Sequence, residues 1–427
     1  MVITMQLNRS LDGLADRKID VSEDISRSVR DILADIRQNG DDALRRYARE
    51  FDGFNEDSFL VTRNEIDDAV ANVDDKFMQI LERAHNQITE FHTNQIQESW
   101  SVYKDNGVQM GQIIRPLGRV ALYVPGGTAA YPSSVLMNAI PAKLAGVDDI
   151  AIFTPVKADG KVPDIILAAA ACCGVNTIYK VGGAHAIAAA AYGTESIPKV
   201  DKIVGPGNAY VATAKRMVYG DVDIDMVAGP SEILIIADES ANPKYIAADL
   251  MSQAEHDVLS SAILVTTSEL LINKVETELT RQIKGLNRKD IITESLARYG
   301  AAILVEDIDA AFALSNDLAP EHLEILTTNP LEMLPKVQNA GSIFLGEHTP
   351  EALGDYMSGT NHVLPTGGTA KFYSPLGVYD FVKWSAYSYY PRAALSTLKD
   401  DVITFANLEG LDAHANSIAV RFEDNID

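Results

Sequence analysis

The spacing of apolar residues changes character part-way along the chain. Residues 21–51 and 65–100 follow a helical period, which predicts one helix interrupted at Asn39-Gly40 and a second helix capped by Asn64. From about residue 118, short apolar runs recur at intervals that suit a β-strand followed by a crossover helix. Continuously apolar strands of this kind are typical of a parallel sheet that helices cover on both faces.

The apolar runs fall into two sets, and each set predicts one sheet. We expect strands of the first sheet at 120–124, 150–154, 177–181 and 202–204. We expect strands of the second sheet at 233–237, 262–266, 302–305, 323–326 and 342–345, with helices at 243–256, 270–285 and 308–318. The fold class is therefore α/β, with two Rossmann-like parallel-sheet domains, a helical N-terminal arm and a small C-terminal appendage.

Composition narrows the classes of function. The 427 residues include 60 acids and 36 bases, a formal net charge of −24 that repels phosphate backbones and argues against nucleic-acid binding. The two cysteines, Cys172 and Cys173, lie in an alanine-rich run and fit burial in a reducing compartment. Residues 1–20 contain no signal-peptide pattern, and no stretch approaches the roughly 20 apolar residues of a membrane span. We therefore expect a cytoplasmic protein with no membrane partner.

Three glycine-bearing turns follow strands of the first predicted sheet, at 125–127, 182–183 and 205–208. The carboxyl ends of parallel strands meet at one edge, where open α/β sheets bind ligands, and helix N-termini there offer N–H groups to an anion. Together the turns favour a nucleotide cleft. Each turn alone could be purely steric, and 205–208 lacks the Rossmann fingerprint because Tyr210 stands at the third glycine position.

Nitrogen and oxygen donors that suit a divalent cation are scattered along the chain. Gln253 and His256 lie one helical turn apart, so both side chains could reach one ion. Asp355, His362 and His414 are further candidates, and the set suits zinc or a similar ion. The spacing does not show that these residues converge, and a histidine at a helix end often caps carbonyls instead.

The adjacent pair Glu321 and His322 precedes a predicted strand. Two neighbouring side chains that exchange protons near neutral pH could perform acid–base catalysis. A surface dipeptide at a strand entrance is the alternative.

Taken together, these segments resemble the histidinol dehydrogenase family. The strongest match is Ile224-Asp225-Met226-Val227-Ala228-Gly229-Pro230-Ser231-Glu232, followed by Ser252-Gln253-Ala254-Glu255-His256. The other matching segments are 122–127, 204–208, 319–323, 359–366 and Glu409 with His414, and the resemblance extends from about residue 25 to 420.

The resemblance implies a set of site residues. One zinc ion per subunit would be held by residues Gln253, His256, Asp355 and His414. These four, with Ser231, Glu321, His322, His362 and Glu409, would contact substrate, and Glu321 and His322 would be the catalytic pair. Tyr123 and Asn208 would line the site of NAD. The family forms intertwined homodimers, so Glu409 and His414 would complete the partner's active site.

The expected domain boundaries combine the resemblance with the apolar pattern. They are an arm at 1–22, a catalytic and metal-binding α/β domain at 23–122 and 234–375, an NAD-binding α/β domain at 123–233, and an appendage at 376–427.

One position departs from the family. His185 stands where the family usually has Gln, in Gly182-Gly183-Ala184-His185-Ala186. We expect His185 to contact the cofactor and to make its affinity depend on pH between about 6 and 7. An NAD dissociation constant that stays unchanged across that window would contradict this hypothesis.

The activity implied by the resemblance is the NAD-dependent oxidation of L-histidinol to L-histidine through L-histidinaldehyde. Related zinc enzymes that oxidise other small alcohols, such as sulfonated diols, are the nearest alternative. A zinc hydrolase would need an open metal position and no nucleotide cleft. A binding or regulatory protein without activity would be expected to lack some of the site residues.

Overall fold

The computed structural model describes residues 6–7, 23–56, 58–126, 130–156 and 159–423. The chain divides into two compact units, one formed by Met1–Gln95 with Leu117–Phe381 and the other by Ile96–Pro116 with Val382–Asp427. The predicted arm at 1–22 lies outside the described residues, except for the short strand β1 (Gln6–Leu7).

The larger unit begins with three helices: α1 (Glu23–Asp52), α2 (Arg63–Asn72) and α3 (Asp75–Thr93). Helix α1 is kinked at Gly40, which has φ 48° and ψ −129°, as the Asn39-Gly40 interruption predicts. The single helix expected at 65–100 is two helices, because Val73 is extended and Asp74 caps a new helix by accepting from Lys76 N–H. The cap of α2 is Thr62, not Asn64, because its hydroxyl forms a capping box with Glu65.

A five-stranded parallel sheet follows. Its strands are β4 (Arg119–Tyr123), β5 (Asp149–Phe153), β6 (Thr177–Tyr179), β7 (Lys202–Val204) and β8 (Asp223–Ile224), in the order β6-β5-β4-β7-β8. Alternate residues of β4 face opposite cores, with Val120 and Leu122 on one side and Ala121 and Tyr123 on the other. Its helices are α4 (Pro132–Leu144), α5 (Asp164–Cys172), α6 (Gly183–Tyr192) and α7 (Ala209–Val218).

The N-terminal helices pack on this five-stranded sheet. Helix α1 contacts α6 and α7, α2 contacts α5, and α3 contacts α4. The expected domain boundaries, which join residues 23–122 to 234–375, stay a prediction, because both ranges lie largely in the same compact unit as the five-stranded sheet.

A second parallel sheet, in the same unit, has the strand order β1-β11-β10-β9-β12-β13. Its remaining strands are β9 (Glu232–Ala237), β10 (Ser261–Thr266), β11 (Gly300–Leu304), β12 (His322–Leu326) and β13 (Ser342–Leu345). Its helices are α8 (Pro243–Ala254), α9 (Glu269–Gln282), α10 (Lys289–Tyr299), α11 (Ile308–Leu318), α12 (Pro330–Met333) and α13 (Glu351–Tyr356). Strands β9 and β10 are buried on both faces, which explains the apolar runs at 233–237 and 262–266.

The smaller unit contains an antiparallel sheet with the order β14-β3-β2. Its elements are β2 (Trp100–Tyr103), β3 (Gln109–Pro116), β14 (Val382–Tyr389), α14 (Arg392–Ser396), α15 (Lys399–Leu408) and α16 (Asp412–Ala419). The aromatic segment after residue 376 therefore includes a strand that pairs with a hairpin formed far earlier in the chain. Among the described residues, no helix has the length and apolar character to cross a membrane.

Gly205 generates a prediction about stability, because a Cβ at this position would lie 2.2 Å from the carbonyl oxygen of Tyr123. Gly220 has a similar φ, +106° against +111°, but a Cβ there would meet nothing within 4 Å. Gly205→Ala should therefore lose about 1–3 kcal/mol more unfolding free energy than Gly220→Ala, the cost of overpacking beyond shared backbone strain. Urea unfolding of both variants measures the difference, and equal losses would contradict the steric account.

Candidate active site

The predicted acid–base pair is buried where β12 begins. His322 pairs in register with Ile233 of β9, which places Glu321 and His322 beside Glu232 at the amino end of both strands. The Nδ1 atom of His322 lies 2.9 Å from the carbonyl oxygen of Glu232. Because a carbonyl oxygen can only accept, Nδ1 carries the proton and Nε2 keeps its lone pair. The fold therefore selects the tautomer in which Nε2 is the basic atom.

Burial controls the ionisation of both members of the pair. It lowers the pKa of His322 to about 4, with the nearby His256 and His362 opposing its protonation further, so the imidazole is neutral at pH 7. Burial also raises the pKa of Glu321 well above its usual range, and the neighbouring Glu232 carboxylate adds to this effect. A neutral imidazole with a free lone pair is suited to accept a proton from a substrate.

Glu232, which sequence reasoning did not single out, organises this pair. Its N–H donates to Glu321 Oε2 at 2.8 Å, and its carbonyl accepts from His322. Its own carboxylate accepts from the N–H of Gly367 at 3.1 Å. The preceding residue, Ser231, is half-buried just before β9. In the sequence, the feature that pointed to Glu232 was its position next to Ser231 in the motif at 224–232.

Two of the predicted metal-binding residues, His256 and Asp355, lie close together and are joined by Glu351. Ligand atoms of His256, Glu351 and Asp355 all lie within 4.8 Å of one another. Gln253, on the last turn of α8, is 1% exposed, and its Oε1 atom has no hydrogen-bond partner among the described residues. A buried carbonyl oxygen without a donor is costly, and a cation would satisfy it. One imidazole with carboxylate and amide oxygens fits zinc or a similar borderline ion.

Glu351 is a second residue that sequence reasoning missed. Its Oε2 accepts from the hydroxyl of Ser252 at 3.2 Å, and its Oε1 lies 3.8 Å from Nε2 of His322. Its N–H donates to the buried carboxylate of Glu324 at 2.8 Å, which fixes the start of α13. Burial, with Asp355 nearby, raises the pKa of Glu351 to about 8. The only sequence signal was its position four residues before Asp355, on the same helical face.

His362 also joins the cluster. Its Nδ1 donates to the carbonyl oxygen of Asp355 at 3.2 Å and lies 3.7 Å from the carboxylate of the same residue. Burial lowers the pKa of this imidazole. His362 therefore holds Asp355 in place and leaves its own Nε2 for a ligand.

Glu409 and His414 belong to the smaller unit, where both side chains are exposed. They line a largely apolar cavity of about 370 Å³ together with the exposed side chains of Phe405 and Leu411. Their role in the metal site stays a prediction.

The described residues of the three glycine turns, 125–126, 182–183 and 205–208, lie at the carboxyl edge of the five-stranded sheet, after β4, β6 and β7, as predicted. The hydroxyl of Tyr123 accepts from the N–H of Gly183 at 3.0 Å, and burial raises the pKa of Tyr123 to about 12. The side-chain oxygen of Asn208 caps α7 by accepting from Tyr210 and Val211. These contacts use two N–H groups of the first helical turn and leave the Asn208 NH₂ group as a donor for a ligand.

His185 is buried, with 1% of its surface exposed. Its Nε2 lies 2.9 Å from the carboxylate of Asp52, which also accepts from the N–H of Gly182 at 3.4 Å. The rings of Tyr47 and Phe51 flank the imidazole. The side chain thus ties the end of α1 to the glycine turn at 182–183, and direct contact with a cofactor stays a prediction.

Comparisons with known proteins point to one family. The family model for histidinol dehydrogenase matches residues 15–422. Histidinol dehydrogenases from Lactococcus lactis and Clostridium acetobutylicum are 64% and 55% identical, over 98% and 99% of each chain. A crystal structure of histidinol dehydrogenase from Elizabethkingia anophelis superposes with a TM-score of 0.93 at 38% identity and covers 98% of both chains.

The chain belongs to the histidinol dehydrogenase family. It is therefore an oxidoreductase, and the hydrolase alternative is set aside. The match to a solved histidinol dehydrogenase over nearly the whole chain also confirms the predicted α/β fold class with two parallel sheets.

The unpartnered oxygen of Gln253 leads to a prediction with two opposite effects. Gln253→Met removes a buried polar atom that lacks a donor, so the metal-free protein should gain about 1 kcal/mol of unfolding free energy. The same change should weaken zinc binding at least about 10-fold, because a ligand is lost. Urea unfolding with a chelator present and a competitive zinc titration measure the two effects.

Ser315→Ala is the matched control, because it removes another buried, unpartnered oxygen on α11, outside the cluster. It should leave zinc affinity unchanged. Equal zinc affinities for Gln253→Met and the unchanged protein would contradict the proposed ligand role.

Proposed function

We propose that this protein is a zinc- and NAD-dependent histidinol dehydrogenase that performs the last step of histidine biosynthesis. The reaction is the four-electron oxidation of L-histidinol to L-histidine through L-histidinaldehyde. The observation that carries the proposal is the position of His322: its basic Nε2 lies 3.8 Å from Glu351, a member of the cluster with His256 and Asp355. The similar histidinol dehydrogenases supply the substrate.

We propose that Gln253, His256 and Asp355 hold one zinc ion per subunit, with His414 of a second copy of the chain. The orphaned oxygen of Gln253 and the mixed nitrogen and oxygen donors support this assignment. When bound, zinc would hold the imidazole and amino nitrogens of the substrate and so orient it. Orientation of this kind can supply several kcal/mol, up to roughly 7–11 in the best cases.

His322 would act in both oxidation steps. In the first, its Nε2 takes the hydroxyl proton of the alcohol while the carbon loses hydride, for which NAD would be the acceptor. The hydrogen bond from Nδ1 to Glu232 stabilises the positive charge that develops on the ring. In the second step, Glu321 activates the water that adds to the aldehyde. His322, after it releases the first proton to solvent, takes the hydroxyl proton of the hydrate while the carbon loses a second hydride, for which a second NAD would be the acceptor. The remaining substrate contacts would come from Ser231 and His362.

The cofactor would lie along the carboxyl edge of the five-stranded sheet. The support is the row of turns at this edge, with Tyr123 at the end of β4, His185 in the first turn of α6 and Asn208 before α7. Backbone N–H groups suit an anionic dinucleotide in a chain whose net charge is strongly negative. Tyr123 would bind through its buried hydroxyl and Asn208 through its side-chain NH₂ group.

We propose a homodimer with shared active sites. Glu409 and His414 are exposed next to exposed apolar side chains such as Phe405 and Leu408 in the smaller unit. A second copy of the chain would cover this apolar surface and would place its own Glu409 and His414 at the site of its partner.

Purified protein tests the activity directly. With L-histidinol it should form two NADH for each alcohol consumed and contain one zinc per subunit. A substrate panel that includes sulfonated diols separates the nearest alternative. One NADH per alcohol, or no NADH, would contradict the proposal.

His322→Asn should lower turnover by about 10²–10⁴-fold, the usual contribution of a general base, with zinc content unchanged. His256→Asn should remove zinc and activity together. The control is His348→Asn, which changes an exposed histidine and should leave both intact. Rate assays and metal analysis check the three variants. Zinc loss in His322→Asn, or full activity in a zinc-free His256→Asn, would mean that the roles are wrongly assigned.

A further inference from the structure

A buried ion pair lies under the glycine turn at 205–208. Lys215, on α7, and Asp225, just after β8, are 3% and 7% exposed, and the ammonium group of Lys215 contacts Asp225 Oδ1. Neither residue is part of the acid–base pair or the metal cluster.

Both residues hold the main chain of Gly205. The N–H of Gly205 donates to Asp225 Oδ2 at 2.7 Å, and the carbonyl oxygen of Gly205 accepts from Lys215 Nζ at 2.8 Å. Asp225 Oδ1 also accepts from the N–H of Met226 at 2.6 Å. The donor and the acceptor of Gly205 are therefore both fixed by charged side chains, in a turn that already passes close to Tyr123.

Stability alone gives little reason for such a pair. Desolvation of two charges often offsets their attraction, so a buried ion pair is weak support for fold stability. Charge-assisted hydrogen bonds are well suited to fixing the position of a backbone segment. The segment fixed here is the start of the turn that ends at Asn208.

Asp225 is also the first residue of the segment 225–231, which leads to Glu232. The main chain of Glu232 binds both Glu321 and His322, the acid–base pair. The carboxylate of Asp225 thus links the glycine turn of the five-stranded sheet to the segment that enters the second sheet at β9.

We propose that Lys215 and Asp225 are positioning residues for the dinucleotide, because they hold the turn 205–208 in the conformation that presents Asn208 and the start of α7 to NAD. This inference rests on the proposed use of NAD at this edge. The two residues act through the backbone and do not contact the cofactor.

The test compares Asp225→Asn and Lys215→Met with the unchanged enzyme. Asp225→Asn is nearly isosteric but has one oxygen instead of two, so it cannot accept from both Gly205 and Met226. Each variant should raise the NAD dissociation constant and KM by about 10-fold or more, the effect of losing a hydrogen bond to a charged group. Zinc content and histidinol affinity should stay unchanged.

Lys202→Met is the matched control. Lys202 is also a buried lysine of this sheet, 5% exposed and paired with Asp223 at 3.1 Å, but it lies at the amino end of β7. This variant should lose thermal stability as Lys215→Met does and keep its affinity for NAD.

The outcomes separate this inference from the proposed function. If the unchanged enzyme does not bind NAD, the proposed function fails and the inference fails with it. If it binds NAD and both Asp225→Asn and Lys215→Met bind equally well, only the inference is overturned. A loss of NAD affinity in Lys202→Met as large as in Lys215→Met would also overturn it, because the effect would then be general destabilisation. If Lys215→Met does not fold, Asp225→Asn decides the matter alone.

Discussion

The pairing of β9 with β12 is the constraint on which the candidate site depends. This register puts Glu232 beside Glu321 and His322, so one residue's main chain binds the carboxylate and fixes the imidazole tautomer. A slip of one residue would turn every side chain to the opposite face of the sheet and would destroy both contacts. The apolar cores on the two faces oppose such a slip, since Ile233 and Leu234 are both fully buried. Hydrophobic packing thus protects a polar arrangement that contributes little stability of its own.

The two groups of candidate site residues lie at opposite strand ends of their sheets. The glycine turns occupy the carboxyl edge of the five-stranded sheet, where ligands of open α/β sheets usually bind. The acid–base pair instead lies where β9 and β12 begin, at the amino edge of the other sheet. Residues 225–231 bridge the two sheets, which explains how the strongest sequence motif can belong to both.

Much of the fold followed from the sequence, because strands buried on both faces leave a continuous apolar signal. Strands β7 and β13 and helix α11 have the predicted bounds. The hairpin of β2 and β3 was missed because β2 is exposed along its whole length and lacks an apolar period. The break between α2 and α3 depends on the cap at Asp74, a local hydrogen bond that periodicity does not reveal.

The site was only partly predictable for a related reason. Resemblance and motif spacing identified Gln253, His256 and Asp355, but Glu232 and Glu351 matter because of what folding places next to them. The partner of His185 is likewise set by tertiary packing, since Asp52 lies on a helix far earlier in the chain.

The distance along the polypeptide between the members of the metal cluster has a consequence for biogenesis. Gln253 and His256 leave the ribosome well before Asp355, with four strands and four helices of the second sheet synthesised between them. Domains generally fold as units during synthesis, so a complete binding cage cannot exist until most of that sheet has formed. Capture of the proposed ion would then be a late event in maturation, and the nascent chain would carry the unpartnered Gln253 oxygen until that point.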